Sequence, residues 1–292
     1  MLLQLAITGL AVGLVYSLIA LGFVLVWKST GVANLALGQL LLVFAWFAYA
    51  MLAQLGLPVW LALTLTLLFA SLAGWLIERV VLRPLIAQPI LSLITVTLGL
   101  GFVIEGMVSI IWPQGLAAMP RLFPQEALHI GTAVVSPEYL WAAVISVLLF
   151  TGLTLFFKFN RTGIVMRATA DDQRAVQACG IPVTQIFSRS WMLACALAAT
   201  GGVLMASITG VTQALVETGL RSFSVVILGG LDSFLGAMIA GPLIGMAQNV
   251  GGGYLTPHTW PGVNEVIPFI IIIIVMFIRP YGLFGEERIE RI

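Results

Sequence analysis

Charged side chains are scarce in this 292-residue chain. Lysine and arginine together number 13, aspartate and glutamate number 12, and the four types make up 9% of the residues, while 60% are hydrophobic. An ordinary soluble domain carries roughly 25% charged residues. This shortage excludes a water-soluble enzyme, a nucleic-acid-binding protein and a disordered chain. The apolar runs are continuous rather than alternating, so we predict an all-α, polytopic helical membrane protein.

The residue types that carry most catalytic chemistry are equally rare. The two histidines, His129 and His258, and the two cysteines form no metal-binding or disulfide spacing, and no metalloprotease or nucleophile-elbow motif is present. Neither of the two lysines, Lys28 and Lys158, follows a glycine, so the chain has no phosphate-binding loop for ATP. We therefore expect no enzyme activity, metal or cofactor, and any ATP would have to be used by another subunit.

The apolar runs predict one transmembrane domain over residues 1–292. A membrane span needs about 20 apolar residues. On that basis we expect about eight helices, at 1–27, two within 29–77, and at 90–112, 139–157, 190–210, 222–250 and 263–279. The stretch 222–250 is interrupted by glycines, which predicts a broken or re-entrant pair of short helices that meet near 231–233. A single kinked packing helix is the alternative.

The basic residues predict the orientation of the chain. With the N-terminus outside, eleven of the 13 lysines and arginines face the cytoplasm, and only Arg121 and Arg221 lie outside. Because cytoplasmic loops are enriched in basic residues, we predict a multi-pass protein of the cell (inner) membrane with a cytoplasmic tail at 280–292.

The segment 158–187 is the longest charged part of the chain, and we predict that it forms a cytoplasmic loop. Within it, Thr169 and Asp172 have the spacing of a capping box, and Gly180 is placed to end a short helix at about 170–179. Small residues lie on this helix beside its charges. Two interpretations remain open: the helix docks in a groove of another protein, or it lies on the membrane surface.

Polar residues inside apolar spans are candidates for a transport pathway. They are Asn34, Gln39, Glu105 and Asp232. A carboxylate in mid-membrane costs at least about 2.5–3.5 kcal/mol, which suggests that Glu105 faces the bundle interior, another subunit or water. Hydrogen bonding between helices is the alternative role for Glu105. For Asp232 the alternatives are that it caps the following short helix or lies at the cytoplasmic surface.

Five blocks of this sequence, in order, resemble the permease subunits of branched-chain amino acid type ABC importers, a group that includes urea and amide transport relatives. The most specific block is the cytoplasmic segment RTGIVMRATADDQRAVQACGI at 161–181. The others are GLVYSLIALGFVLVWKSTGVANLALGQ (13–39), ERVVLRPL (78–85), SFSVVILGGLDSFLGAMIAGPLIGMAQ (222–248) and RPYGLFG (279–285). The resemblance extends over nearly the whole chain.

The resemblance implies a subunit that forms half of a pathway for branched-chain amino acids or a related small polar solute. Its partners would be a second permease, two ATP-binding subunits and an extracytoplasmic binding protein, and the short cytoplasmic helix would be the coupling helix. The coupling residues would be Arg167, Ala170, Asp171, Asp172, Ala175, Gly180 and Ile181. A stand-alone channel or secondary transporter is the alternative function.

One block departs from the family pattern. Where the family commonly has an A-H-G-E-like run, this chain has Ala36-Leu37-Gly38-Gln39. A histidine and a carboxylate are thus replaced by neutral side chains. The substrate therefore stays open among branched-chain amino acids, amides, urea and small carboxylates.

Overall fold

The computed structural model describes residues 1–31, 33–85, 88–124, 128–130, 133–255 and 262–285, and these residues are mainly helical. The predicted all-α membrane fold is confirmed, since seven helical segments of the described part are long and apolar enough to cross a membrane and an eighth is shorter. The helices are α1 (Leu2–Thr30), α2 (Leu37–Tyr49), α3 (Val59–Ile77), α4 (Ile90–Ile111), α5 (Pro137–Phe159), α6 (Arg161–Asp171), α7 (Gln173–Ala178), α8 (Val183–Thr209), α9 (Ala214–Gly229), α10 (Phe234–Leu255) and α11 (Val263–Ile278).

Several shorter elements complete the described chain. Two π-helical turns, Ala50–Gln54 and Glu78–Leu82, extend α2 and α3. Short antiparallel strands form two pairs, in which β1 (Leu116–Ala117) pairs with β4 (Val211–Thr212), and β2 (Leu128–Ile130) pairs with β3 (Ala133–Val135). The expected tail at 280–292 is described only to residue 285, and His258 also lies outside the described residues.

The described residues group into two compact units. The first contains those of Met1–Val24, Phe123–Val147 and Leu220–Ile292, and the second contains those of Leu25–Leu122 and Leu148–Gly219. In the first unit, α1 and α10 approach closely through small residues, because a Cβ atom built at Gly9 would lie only 2.7 Å from the Gly245 carbonyl oxygen. Such glycines allow helix backbones to touch within a membrane.

The region 222–250 forms two helices, as the glycine pattern predicts. Helix α9 ends at Gly229 and α10 begins at Phe234, although α10 is a full-length helix of 22 residues rather than a short one. The chain after α11 returns to the end of α9, where Leu283 and Phe284 donate backbone hydrogen bonds of 2.9 and 3.1 Å to the carbonyls of Leu228 and Gly229. This return satisfies carbonyl groups that a helix end leaves without partners.

The second unit is built around α8, which packs against α2 and α3. A Cβ atom at Gly202 of α8 would lie 2.7 Å from the Leu41 carbonyl oxygen, and one at Gly74 of α3 would lie 2.5 Å from the Trp191 carbonyl oxygen. Trp191 is fully buried. Close backbone contacts of this kind hold the two neighbours of α8 in one arrangement.

Candidate functional site

The helix that the sequence predicts over about 170–179 is divided in two at Asp172. This residue is extended, with φ −151°, and its Oδ1 accepts hydrogen bonds from the backbone N–H groups of Arg174 (2.8 Å) and Ala175 (3.0 Å). Asp172 is therefore the N-cap of α7, because its side chain satisfies donors at the first turn. The predicted capping role of Thr169 is wrong, since this residue is buried within α6 and its hydroxyl donates to the Val165 carbonyl.

The end of α7 lies where the sequence predicts it. Gly180 has φ +78°, a backbone conformation that glycine adopts without strain. Its N–H donates to the Gln177 carbonyl (2.9 Å), and the N–H of Ile181 donates to the Val176 carbonyl (3.3 Å). These two bonds form a Schellman motif with Gly180 at the C′ position. Helix α7 is thus fixed at both ends, although six residues alone are too few for a stable helix in water.

One face of α7 is anchored and the other is exposed. Val176 is buried in a cluster with Val183 and Phe187 of α8, and Ile181 packs against that cluster. The side-chain amide of Gln173 also donates a hydrogen bond of 3.2 Å to the Ser29 carbonyl at the end of α1. The anchoring fixes the direction of the outward face.

The predicted coupling residues divide according to this anchoring. Ala170 and Ile181 are half-buried. Ile181 packs against the anchoring cluster of Val176, Val183 and Phe187. The five exposed members of the set are Arg167, Asp171, Asp172, Ala175 and Gly180. These five residues, of which Ala175 has a small side chain, are exposed and so are available for contact with another protein.

A buried ion pair near the start of α8 was not predicted from the sequence. Glu78, only 2% exposed, accepts two hydrogen bonds from the Arg83 guanidinium at 3.1 and 3.3 Å. The Ser188 hydroxyl donates to the same carboxylate and lies 3.1 Å from Arg83 Nη2. The π-helical turn Glu78–Leu82 carries the carboxylate, and the cluster links the end of α3 to α8. The motif ERVVLRPL contains both charges, but their spacing of five residues is not the usual pairing distance on an α-helix.

Two of the predicted pathway residues, Gln39 and Glu105, belong to one polar region in the second unit. A Cβ atom at Gly101 of α4 would lie 3.0 Å from the side-chain oxygen of Gln39, so the start of α2 packs beside the middle of α4. Glu105 lies one helical turn further along α4 and accepts a hydrogen bond from the amide of Gln213, which follows β4. The Gln39 side-chain oxygen is buried and has no hydrogen-bond partner among the described residues. Nothing in the sequence pattern predicts that Gln213 contacts Glu105.

The other two pathway candidates occupy different surroundings. Asn34 is 1% exposed, and its Oδ1 accepts a hydrogen bond of 3.1 Å from the Ala36 N–H, which turns the chain into α2. Asp232 belongs to the first unit, where it is half-buried in the turn between α9 and α10. The next residue, Ser233, caps α10 by accepting a hydrogen bond from the Gly236 N–H (2.9 Å).

Comparison with known families shows where this arrangement belongs. Residues 5–276 match the family model described as "Branched-chain amino acid transport system / permease component". The chain belongs to this family. It is a transmembrane permease subunit of an ABC importer, a transport protein rather than an enzyme, and it works with other components of that importer. ATP hydrolysis in such systems is carried out by separate subunits.

The similarity to individual permeases extends along the whole chain. The high-affinity branched-chain amino acid transport system permease protein LivH of Salmonella typhimurium is 26% identical over 99% of this chain and 97% of its own length. The permease protein BraD of Pseudomonas aeruginosa is 29% identical over 99% of this chain and 98% of its own length. The solved structure titled "PsaBC from Streptococcus pneumoniae in complex with Fab" has the same fold, with a TM-score of 0.51, 16% identity, and coverage of 96% of this chain and 92% of that one.

Proposed function

We propose that this permease imports branched-chain amino acids, or a chemically related small polar solute, by forming half of a translocation pathway. The other half is a second, different permease subunit, two ATP-binding subunits drive transport, and an extracytoplasmic binding protein delivers the solute. The names of the LivH and BraD relatives support the solute class. A solute-binding assay on the partner binding protein, with leucine, urea and a short amide as ligands, tests that class. If leucine does not bind, the amino acid assignment is wrong.

We place the N-terminus outside and the C-terminus in the cytoplasm, because the basic residues are so unevenly distributed. The chain provides its own probe, since Cys179 is exposed on the α7 segment and Cys195 is buried. A membrane-impermeant maleimide should label the protein in inverted vesicles stripped of ATP-binding subunits, and not in intact spheroplasts. The variant Cys179→Ser is the control and should lose the label in both. Labelling of Cys179 from outside intact cells would contradict the orientation.

The observation that best supports coupling is the outward face of α7, whose ends are capped and whose other face is anchored. We propose that this face docks on an ATP-binding subunit, with Ala175 in a groove and Arg167, Asp171 and Asp172 at the rim. The change Ala175→Trp adds an indole where a methyl group fits, so it should block docking and abolish ATP-driven uptake while the chain still inserts. Co-purification with the ATP-binding subunits measures docking.

The matched control for this substitution is Ala53→Trp, at an alanine that is also exposed, on the π-helical turn Ala50–Gln54. This variant should assemble and transport as the parent does. If Ala175→Trp also assembles normally, α7 does not dock through this face.

The second part of the proposal is that Glu105, Gln213 and Gln39 line the translocation route. Glu105 is a carboxyl group in an apolar helix, with an amide partner and no ion pair among the described residues. A charged side chain at the centre of a bilayer costs roughly 2.5–3.5 kcal/mol, so a carboxyl group at such a position needs a functional reason. We expect Glu105→Leu, which removes both the charge and the hydrogen bond to Gln213, to slow uptake while assembly persists. Glu105→Gln keeps the shape and should have a milder effect.

Initial uptake rates in reconstituted vesicles measure both variants, and Glu265→Gln is the control because this carboxylate is exposed in the first turn of α11. If Glu105→Leu assembles and transports as the parent does, the residue has no role in the route.

A further inference from the structure

A groove in the second unit is lined by none of the residues proposed for coupling or for the route. Its volume is about 260 Å³, and it is formed by parts of α3, α5, α6 and α8. The lining residues are Ser71, Phe156, Thr162, Met166, Arg189, Met192 and Leu193. The volume is many times the ~30 Å³ that one water molecule occupies in the liquid, and most of the lining is apolar, so the groove suits a hydrocarbon chain better than ordered water.

The charged end of the groove lies near helix ends. Phe156 is in the last turn of α5 and Arg189 is in the second turn of α8, whereas Ser71 is near the middle of the continuous helical segment Val59–Leu85. In membrane-spanning helices, the levels of Phe156 and Arg189 approach the layer of lipid headgroups. An arginine at this depth extends its charge toward the headgroups while its stem lies along apolar surface.

The charge at this end of the groove is unbalanced. Arg189 is exposed and makes no hydrogen bond or ion pair with any residue that the structure describes. The sequence from 158 to 189 contains five basic and two acidic residues. Thr162 and Ser71 add hydroxyl groups to the lining. A phosphate group is the complement of an unpaired guanidinium, and an acyl chain is the complement of the apolar wall.

We propose that this groove binds one anionic phospholipid, with its acyl chain against Phe156, Met166 and Leu193 and its phosphate on Arg189. The ligand is the lipid of the surrounding bilayer and is neither the transported solute nor a free phosphate. The lipid fills the space between α6 and α8, the two helices that flank α7. Its binding can be measured whether or not the chain transports the solute proposed above.

The test is native mass spectrometry of the complete importer, released from nanodiscs that contain equal amounts of phosphatidylglycerol and phosphatidylcholine. We expect the parent to retain one phosphatidylglycerol in preference to phosphatidylcholine. Arg189→Gln should weaken this preference about fivefold, the usual effect of one basic residue near an anionic membrane surface. Leu193→Trp should reduce retention of both lipids because the indole fills the groove.

The control is Arg79→Gln, which changes another exposed arginine, one that lies over the Trp75 ring and does not line the groove. This variant should retain phosphatidylglycerol as the parent does, and its doing so supports a specific site over a general charge effect. Leu193→Trp also changes the packing of the helices, so the proposal is judged on Arg189→Gln, which removes only a charge. Equal retention of the two lipids by the parent, or unchanged preference in Arg189→Gln, overturns the proposal.

A competition arm separates the lipid from a soluble phosphate ligand. Excess glycerol 3-phosphate should leave phosphatidylglycerol bound, because the acyl chain supplies most of the contact. Displacement at low concentration would show a soluble anion site and would overturn the assignment to lipid. The proposal would also be overturned if the assembled importer retained no lipid because an ATP-binding subunit covers the groove.

Discussion

Replacing Arg83 by methionine should destabilise the permease strongly, because it leaves the Glu78 carboxylate buried without its cation. Glu78 is 2% exposed and is held by Arg83 and Ser188. Breaking a buried ion pair by removing one partner typically costs about 3–5 kcal/mol. The Arg83 side chain is 37% exposed, so part of its charge is already solvated and we expect a loss near 3 kcal/mol.

The second half of the prediction is that removing the charge on both sides recovers stability. Glu78→Gln keeps the shape of the side chain and should cost about 1–2 kcal/mol, the usual range for a weakened buried hydrogen bond. The double variant Glu78→Gln/Arg83→Met should therefore be more stable than Arg83→Met alone. Thermal unfolding of the purified chain, followed by tryptophan fluorescence, gives the three values needed for a double-mutant cycle.

The control is Arg79→Met, which removes an exposed arginine from the same π-helical turn. Its loss should stay below about 1 kcal/mol, the range of an exposed cation–π contact. If Arg83→Met proves no worse than Arg79→Met, or if the double variant is less stable than Arg83→Met, the ion pair does not hold α3 to α8 and the reasoning fails.

Three further predictions follow from contacts in the structure. Gly38→Ala should destabilise the second unit by about 1–3 kcal/mol in the same thermal assay, because the added Cβ atom would lie 2.6 Å from the Val216 carbonyl oxygen. The control, Gly99→Ala, should be neutral or stabilising because a Cβ atom there meets no atom within 4 Å, and equal effects of the two variants would contradict the prediction. Asp172→Ala should destabilise α7 by about 1 kcal/mol and speed amide hydrogen exchange at residues 174–179, because it removes the N-cap hydrogen bonds. Asp171→Ala should leave this exchange unchanged, and unchanged exchange in Asp172→Ala would contradict the capping role. Gly230→Ala should speed amide exchange at Leu283 and Phe284, because Gly230 has φ +103° and an added Cβ atom would lie 2.6 Å from the Gly285 nitrogen. The control is Gly152→Ala, where the Cβ atom meets open space, and equal exchange in the two variants would contradict the contact between the tail and α9.

The helices could be predicted from the sequence because the signal for a membrane span is strong. A bilayer allows only helices or closed barrels, so length and apolar composition are nearly sufficient to locate a span. The same logic identified the break between α9 and α10, since a cluster of glycines disfavours one continuous helix. It did not predict that α10 is long, because Gly241-Pro242 resembles a second break, whereas the structure keeps Pro242 within one helix.

The site was harder to predict because its pairs are distant in sequence. Glu105 is visible as a carboxylate in an apolar run, yet its partner Gln213 lies 108 residues away and follows a short strand. Glu78 and Ser188 are 110 residues apart. The start of α7 was missed for a local reason: both Thr169 and Asp172 are good capping residues, and only the packing of Thr169 inside α6 decides between them.

Helix α8 is the element that connects the two candidate regions of the second unit. At its start, Val183 and Phe187 bury Val176 of α7, and Ser188 bonds the Glu78–Arg83 pair at the end of α3. Toward its other end, Gly202 touches the backbone of α2 near Leu41, two residues beyond Gln39. A force on α7 therefore acts on a helix that also contacts the start of α2. Because close-packed helices shift as bodies rather than deform, this contact offers a mechanical route from the proposed coupling face to the polar region around Glu105. The Arg83 variant tests one end of this route, because it loosens the end of α3 from Ser188 of α8. The Gly38 variant tests the other end, because it disturbs the packing of α2 against Val216 of α9.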